Sequence, residues 1–138
     1  MAYDDGNVFA RILRGEIPCA RVYRDADTIA FMDAGQVNPG HVIVASAHPC
    51  ATILDLTDDQ AAALFRTAAK VARAVQAAFA PAGITILQAN RPAGWQTVPH
   101  VHLHVLPRHE DDGVGLTWPR KEPGLPALQE LAARIRVE

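Results

Sequence analysis

Residues Pro99-His100-Val101-His102-Leu103-His104-Val105-Leu106-Pro107 alternate imidazole with apolar side chains, and a proline stands at each end. Successive side chains on a β-strand point to opposite faces, so the alternation predicts a strand over Val98 to Leu106. His100, His102 and His104 would then share one face, and Val101, Leu103 and Val105 the other. Half of the chain's six histidines lie in this run, the rest being His41, His48 and His109. The polar face of a strand is ordinarily built from Thr, Lys, Glu or Ser, so three imidazoles ask for an explanation.

Three readings of that face are open. The histidines could be partly exposed polar residues on a solvent-facing surface. They could bind a metal: alternate residues lie about 7 Å apart at about 3.3 Å per residue, and two imidazoles at that spacing can converge on one ion. His100 and His104 would be about 13 Å apart on the same rise, so one ion would need His41, His48 or a carboxylate as well. Or they could do covalent and acid–base chemistry. Imidazole titrates near neutral pH, and a histidine that attacks phosphorus gives a covalent intermediate that water resolves. Neighbouring donors must then hold the phosphoryl oxygens. Asn90, Gln96 and Thr97, with Gly94, offer amides, a hydroxyl and flexible backbone just before the strand.

The rest of the chain supplies the layers. Asn7 caps a short helix, Val8 to Leu13, that ends at Gly15, with Val8, Phe9 and Ile12 on one side. Ala20 to Arg24 and Thr28 to Met32 form a hairpin around Asp25-Ala26-Asp27. Asn38-Pro39-Gly40 is a turn leading into a strand over His41 to Ala45. Thr57-Asp58-Asp59-Gln60 resembles a capping box, and apolar residues recur at helical spacing from there to Phe79. Strands follow at Ile84 to Ala89 and at the histidine run. A loop occupies 109–126, and a closing helix runs from Pro126 to Arg136. This order predicts an α+β fold: about five strands in a mainly antiparallel sheet, one long helix, and short helices at each end.

Composition excludes several classes. The 138 residues suit a single domain spanning 1–138, with a formal net charge of −2 and no polybasic tract. The electrostatic footprint of a nucleic-acid binder is missing. No apolar stretch approaches the ~20 residues of a membrane span. Tyr3, Asp4 and Asp5 do not begin a signal peptide. Cys19 and Cys50 form no CxxC pair. A cytoplasmic protein is expected.

From His100 to Leu106 the chain resembles the histidine triad (HIT) family of nucleotide hydrolases and transferases, whose motif is His-φ-His-φ-His-φ-φ with φ apolar. Arg14-Gly15-Glu16-Ile17-Pro18, Ala30-Phe31-Met32-Asp33, Pro39-Gly40-His41 and Gly94-Trp95-Gln96-Thr97-Val98-Pro99 extend the likeness, as does Asp111-Asp112-Gly113 before Trp118. The resemblance implies a HIT-like fold and a homodimer whose sheets join. It implies a pocket for a purine nucleotide, an AMP or GMP moiety, and often hydrolysis of P–N bonds in nucleoside phosphoramidates. By position, His102 would be the nucleophile that becomes nucleotidylated, and His100 would orient it through its backbone carbonyl. His104 and Thr97 would contact phosphate and the leaving group, with His41 in support. Asp33 would bind ribose hydroxyls. Val8, Phe9, Ile12 and Phe31 would line the base pocket, and Asn90 and Gln96 would contact phosphate. A dinucleoside polyphosphate hydrolase, a nucleotidyl transferase, or a nucleotide-binding dimer with little catalysis would be other members of the same class.

The chain departs from the family in three places. Many bacterial members carry Cys-x-x-Cys near the start, which with two histidines holds a structural zinc. Here Asn7 and Ala10 take those places, while His48 and His100 remain. No metal and no cofactor are therefore expected. Trp95 stands where a small residue is usual, which puts an indole at the expected phosphate entrance. Thr97 stands where serine is common and keeps the hydroxyl.

Overall fold

A computed structural model describes residues 2–137. Five strands form one antiparallel sheet: β1 (Arg21–Arg24), β2 (Thr28–Met32), β3 (Val42–Ser46), β4 (Gly83–Gln88) and β5 (His102–Arg108). Their order across the sheet is β1-β2-β3-β5-β4. Helix α1 (Val8–Leu13) precedes β1, α2 (Asp58–Phe79) connects β3 to β4, and α3 (Leu125–Ile135) follows β5. The predicted α+β architecture is the observed one. Single 3-10 turns at Ile53–Asp55 and Pro92–Gly94 were not expected from the sequence.

Local chemistry sets the helix ends. The Asn7 side chain accepts the Ala10 N–H at 2.9 Å. At α2, Thr57 and Gln60 satisfy each other's backbone N–H groups in a reciprocal cap, worth about 1 kcal/mol. The helix ends at Ala80, which adopts the left-handed conformation. Helix α3 forms as expected but buries no residue.

Register sorts the side chains between two faces. Ala30, Val44 and Leu103 are cross-strand partners, as are Met32, Val42 and Val105. These rows pack on the face of α2 formed by Leu64, Ala68, Val71 and Val75. Thr28 and Thr67 tie the two layers through a buried 2.7 Å hydroxyl contact. On the opposite face Ile29 pairs with Ala45 and Ala45 with His102, while Phe31 pairs with Ile43 and Ile43 with His104. Phe9 of α1 packs on this face. The sheet thus separates an apolar core on one side from the histidines on the other.

The predicted start of the last strand is corrected. β5 begins at His102, not Val98. Pro99 has no N–H for a ladder. The His100 N–H turns back to the Val98 carbonyl at 2.8 Å, and the Val101 N–H donates to the Cys50 carbonyl at 2.8 Å. His100 therefore lies outside the strand's alternation.

Candidate active site

His102 and His104 project from β5 into a cavity of about 520 Å³ between the sheet and α1. Val8, Phe9 and Ile12 form its α1 wall, Phe31 and Ile43 its floor, and Asp33, Thr97 and Val98 part of its rim. The apolar base-pocket set expected from the sequence is therefore gathered in one place. His100 is not part of it. Its ring is fully buried beside Tyr3, and its Nε2 donates to the Ser46 carbonyl at 2.7 Å.

Hydrogen-bond partners assign the imidazole tautomers. A carbonyl can only accept, so the 2.6 Å contact between His102 Nδ1 and the His100 oxygen puts the His102 proton on Nδ1. Nε2 keeps its lone pair and has no hydrogen-bond partner among the described residues. Phe9 stands edge-on to this ring, with centroids 4.8 Å apart at 89°.

A second chain ends at His104. The Val37 N–H points at His41 Nδ1 at 3.3 Å, which makes Nδ1 an acceptor and places the His41 proton on Nε2. That Nε2 lies 2.9 Å from His104 Nδ1 and 3.2 Å from Asp33 Oδ2. His104 Nδ1 then accepts, and its own proton sits on Nε2. The cavity meets an imidazole lone pair from His102 and an imidazole N–H from His104, on rings 5.1 Å apart between centroids. Asp33, at the end of β2, is held by the Gly35 N–H on its other oxygen at 2.9 Å.

Burial keeps these rings neutral. Desolvation pushes His102 below its ordinary pKa, and the His100 carbonyl and Asp33 only partly oppose it. His104 is pushed down to about 4, by burial first and then by the neighbouring His102 and His41. His41 and His100 are lowered by burial as well. A neutral imidazole is the nucleophilic form.

Ligand atoms of Asp33, His41 and His104 all lie within 4.8 Å of one another, a group compact enough for a metal. It joins one histidine of the run to His41 and a carboxylate, the additional ligands that strand spacing called for. Its atoms already satisfy each other by hydrogen bonds, with a proton on His41 Nε2. The zinc set seen in many bacterial members does not fit this chain. Asn7 is engaged as a helix cap, both His100 nitrogens have protein partners, and His48 Nε2 meets Asp27 at 3.0 Å.

Three residues expected at the phosphate do not line the cavity. Asn90 Oδ1 accepts the Ile53 N–H at 2.8 Å, and its Nδ2 donates to Gln88 Oε1 at 2.7 Å. Gln96 accepts the Arg91 N–H at 2.6 Å and donates to the Ala51 carbonyl at 2.6 Å. Their amides fold the 90–97 loop onto the Ile53–Asp55 turn. Trp95 is 63% exposed, in a left-handed backbone conformation at φ 77°. Conversely, Ile17, Pro18, Cys19, Ala20, Met32, Ala34, Ile43 and Val98 line the cavity unannounced. For Ile43 a signal existed: it shares Phe31's face once β2 and β3 pair directly.

A family model described as the HIT domain matches residues 14–111. Protein hit of Bacillus subtilis is 37% identical over 112 residues, 80% of this chain and 77% of that protein. The adenosine 5'-monophosphoramidase hnt1 of Schizosaccharomyces pombe is 32% identical over 113 residues, 81% of this chain and 82% of its own. Among solved structures, a HIT family protein from Bacillus anthracis superposes with a TM-score of 0.89 at 37% identity, covering 94% of each chain. A fold of this closeness, with the histidine run inside the matched region, leaves one conclusion: the chain belongs to the HIT family.

Proposed function

We propose that this protein hydrolyses purine nucleoside phosphoramidates through a covalent nucleotidyl-histidine intermediate on His102. The observation that carries the reading is the His102 Nδ1 contact with the His100 carbonyl, which leaves Nε2 as a lone pair at the cavity. Two relatives named adenosine 5'-monophosphoramidase give the leaving group its class.

The base enters the apolar cavity between α1 and Phe31, and Asp33 accepts hydrogen bonds from the ribose hydroxyls. His102 Nε2 attacks the α-phosphorus. A P–N bond forms to the histidine while the P–N bond to the leaving amine breaks. The phosphorylated ring is a cation, and its Nδ1–H bond to the His100 carbonyl strengthens as that charge develops. His104 Nε2–H and the Thr97 hydroxyl hydrogen-bond the phosphoryl oxygens and the departing nitrogen, which takes one proton from solvent water and leaves as a neutral amine. Water then attacks phosphorus, the histidine–phosphorus bond breaks, and the proton lost by the water balances the one taken by the amine. His41 holds the His104 tautomer. Asn90 and Gln96 shape the loop that carries Thr97.

The acting species is a homodimer in this reading. β4 leaves a sheet edge unpaired, and Ile86 on it is exposed. Sedimentation equilibrium giving a monomer mass would remove that part. For the chemistry, His102→Ala should abolish AMP release from adenosine phosphoramidate. Retained turnover by a folded variant overturns the proposal.

A further inference from the structure

The segment before α1 reaches the site through side chains alone. Asn7 Oδ1 is occupied with capping the helix, so its Nδ2 is free to donate, and it does so to Tyr3 Oη at 2.8 Å and to the Asp4 carbonyl at 2.8 Å. A tyrosine hydroxyl that accepts from an amide still has its own proton to give. That proton points at His100 Nδ1, and on the far side of the ring Nε2–H donates to the Ser46 carbonyl. The ring is fully buried and stands edge-on to Tyr3, with centroids 5.7 Å apart. The donors run in one consistent direction, from Asn7 through Tyr3 and His100 to Ser46.

The backbone explains why this ring needs holding. His100 precedes the first ladder residue of β5, and Pro99 before it offers no N–H. The carbonyl that accepts the His102 proton therefore belongs to a residue not pinned by sheet pairing on its N-terminal side. On its C-terminal side the Val101 N–H of the same peptide is tied to the Cys50 carbonyl, and the His100 side chain adds a second anchor. Tyr3 and Asn7 both precede residue 14, where the family match begins.

We propose that Tyr3 and Asn7 are positioning residues for His102: by fixing the His100 ring they fix the carbonyl that orients the nucleophile. The chain thereby uses a hydrogen-bond relay to attach its N-terminal turn to the site. The catalytic half of this inference rests on the function proposed above.

Two variants test it. Tyr3→Phe removes the donor to His100 with little change in shape. Asn7→Asp keeps an equally good cap for α1 while replacing the donor to Tyr3 with an acceptor, so the Tyr3 proton is drawn away from His100. Both should lower kcat for adenosine phosphoramidate about tenfold, the worth of one buried hydrogen bond, and leave KM within about twofold. Two-bond ¹H–¹⁵N spectra, which need no turnover, should show His100 as the Nε2–H tautomer and His102 as the Nδ1–H tautomer in the wild-type protein. In the variants His102 should lose its single tautomer. Unchanged kcat and an unchanged His102 tautomer in a variant that melts normally overturn the proposal. If His102→Ala leaves turnover intact, the function fails instead, and the spectra still decide the relay.

Discussion

Mild acid should destabilise this protein through its buried histidines. His104 is the clearest case, with its pKa pushed from 6.5 to about 4 by burial and by two neighbouring imidazoles. Its side chain is 25% exposed, which leaves little water to screen the effect. A histidine with a depressed native pKa binds fewer protons folded than unfolded. Stability is therefore intact above pH 7 and falls as the pH drops through 6.5, where the unfolded chain takes up the proton that the native site refuses. The loss from His104 reaches about 2 kcal/mol at pH 5 and levels off at about 3 kcal/mol below pH 4, where both states are protonated. His41, His100 and His102, also lowered by burial, add in the same direction. Urea unfolding at pH 7 and pH 5 measures this. It should be followed by far-ultraviolet circular dichroism, because Trp95 and Trp118 are exposed and report poorly on the core. His104→Gln should lose about 2 kcal/mol less than the wild-type protein over the same interval. Equal stability at the two pH values, or an equal loss in the variant, would refute the reasoning.

Other substitutions probe separate links. Gly40 has φ +104°, and a Cβ there would meet Phe79 Cδ2 at 2.7 Å. Gly40→Ala should cost about 2 kcal/mol in a denaturation curve, mostly from backbone strain because the Phe79 ring can swing outward. Leu103 is fully buried against α2, so Leu103→Ala should cost about 3 kcal/mol with unchanged KM. Ile12→Ala opens the cavity wall without touching the histidines, and should raise KM about fivefold at constant kcat. A fall in kcat alone would place Ile12 outside the nucleotide's path.

The sequence by itself determined the local structure and named part of the cavity lining. The period of two in the histidine run follows from backbone geometry, so the strand and its two chemically different faces could be read directly. Asn7, Thr57 and the Asn38-Pro39-Gly40 turn are equally local, because caps and turns are settled within four residues. Phe9, Ile12, Phe31 and Asp33 were named from the family motif and do meet at one cavity. Tertiary structure decided who partners whom. His41 and His104 are 63 residues apart and meet only because β3 pairs with β5 in one register. Tyr3 and His100 are 97 apart, and nothing local to either residue announces the contact. Asn90 and Gln96 were placed on phosphate by their chemistry, yet the fold offered their amides nearer partners in the Ala51–Asp55 turn. Pro99 and His100 precede the first ladder residue of β5, and the His100 ring is held by Tyr3 and the Ser46 carbonyl and does not line the cavity. A single strand's periodicity assigns faces, but hydrogen-bond partners are assigned by which distant backbone arrives beside it. That distinction gives His102 a free lone pair and His100 none.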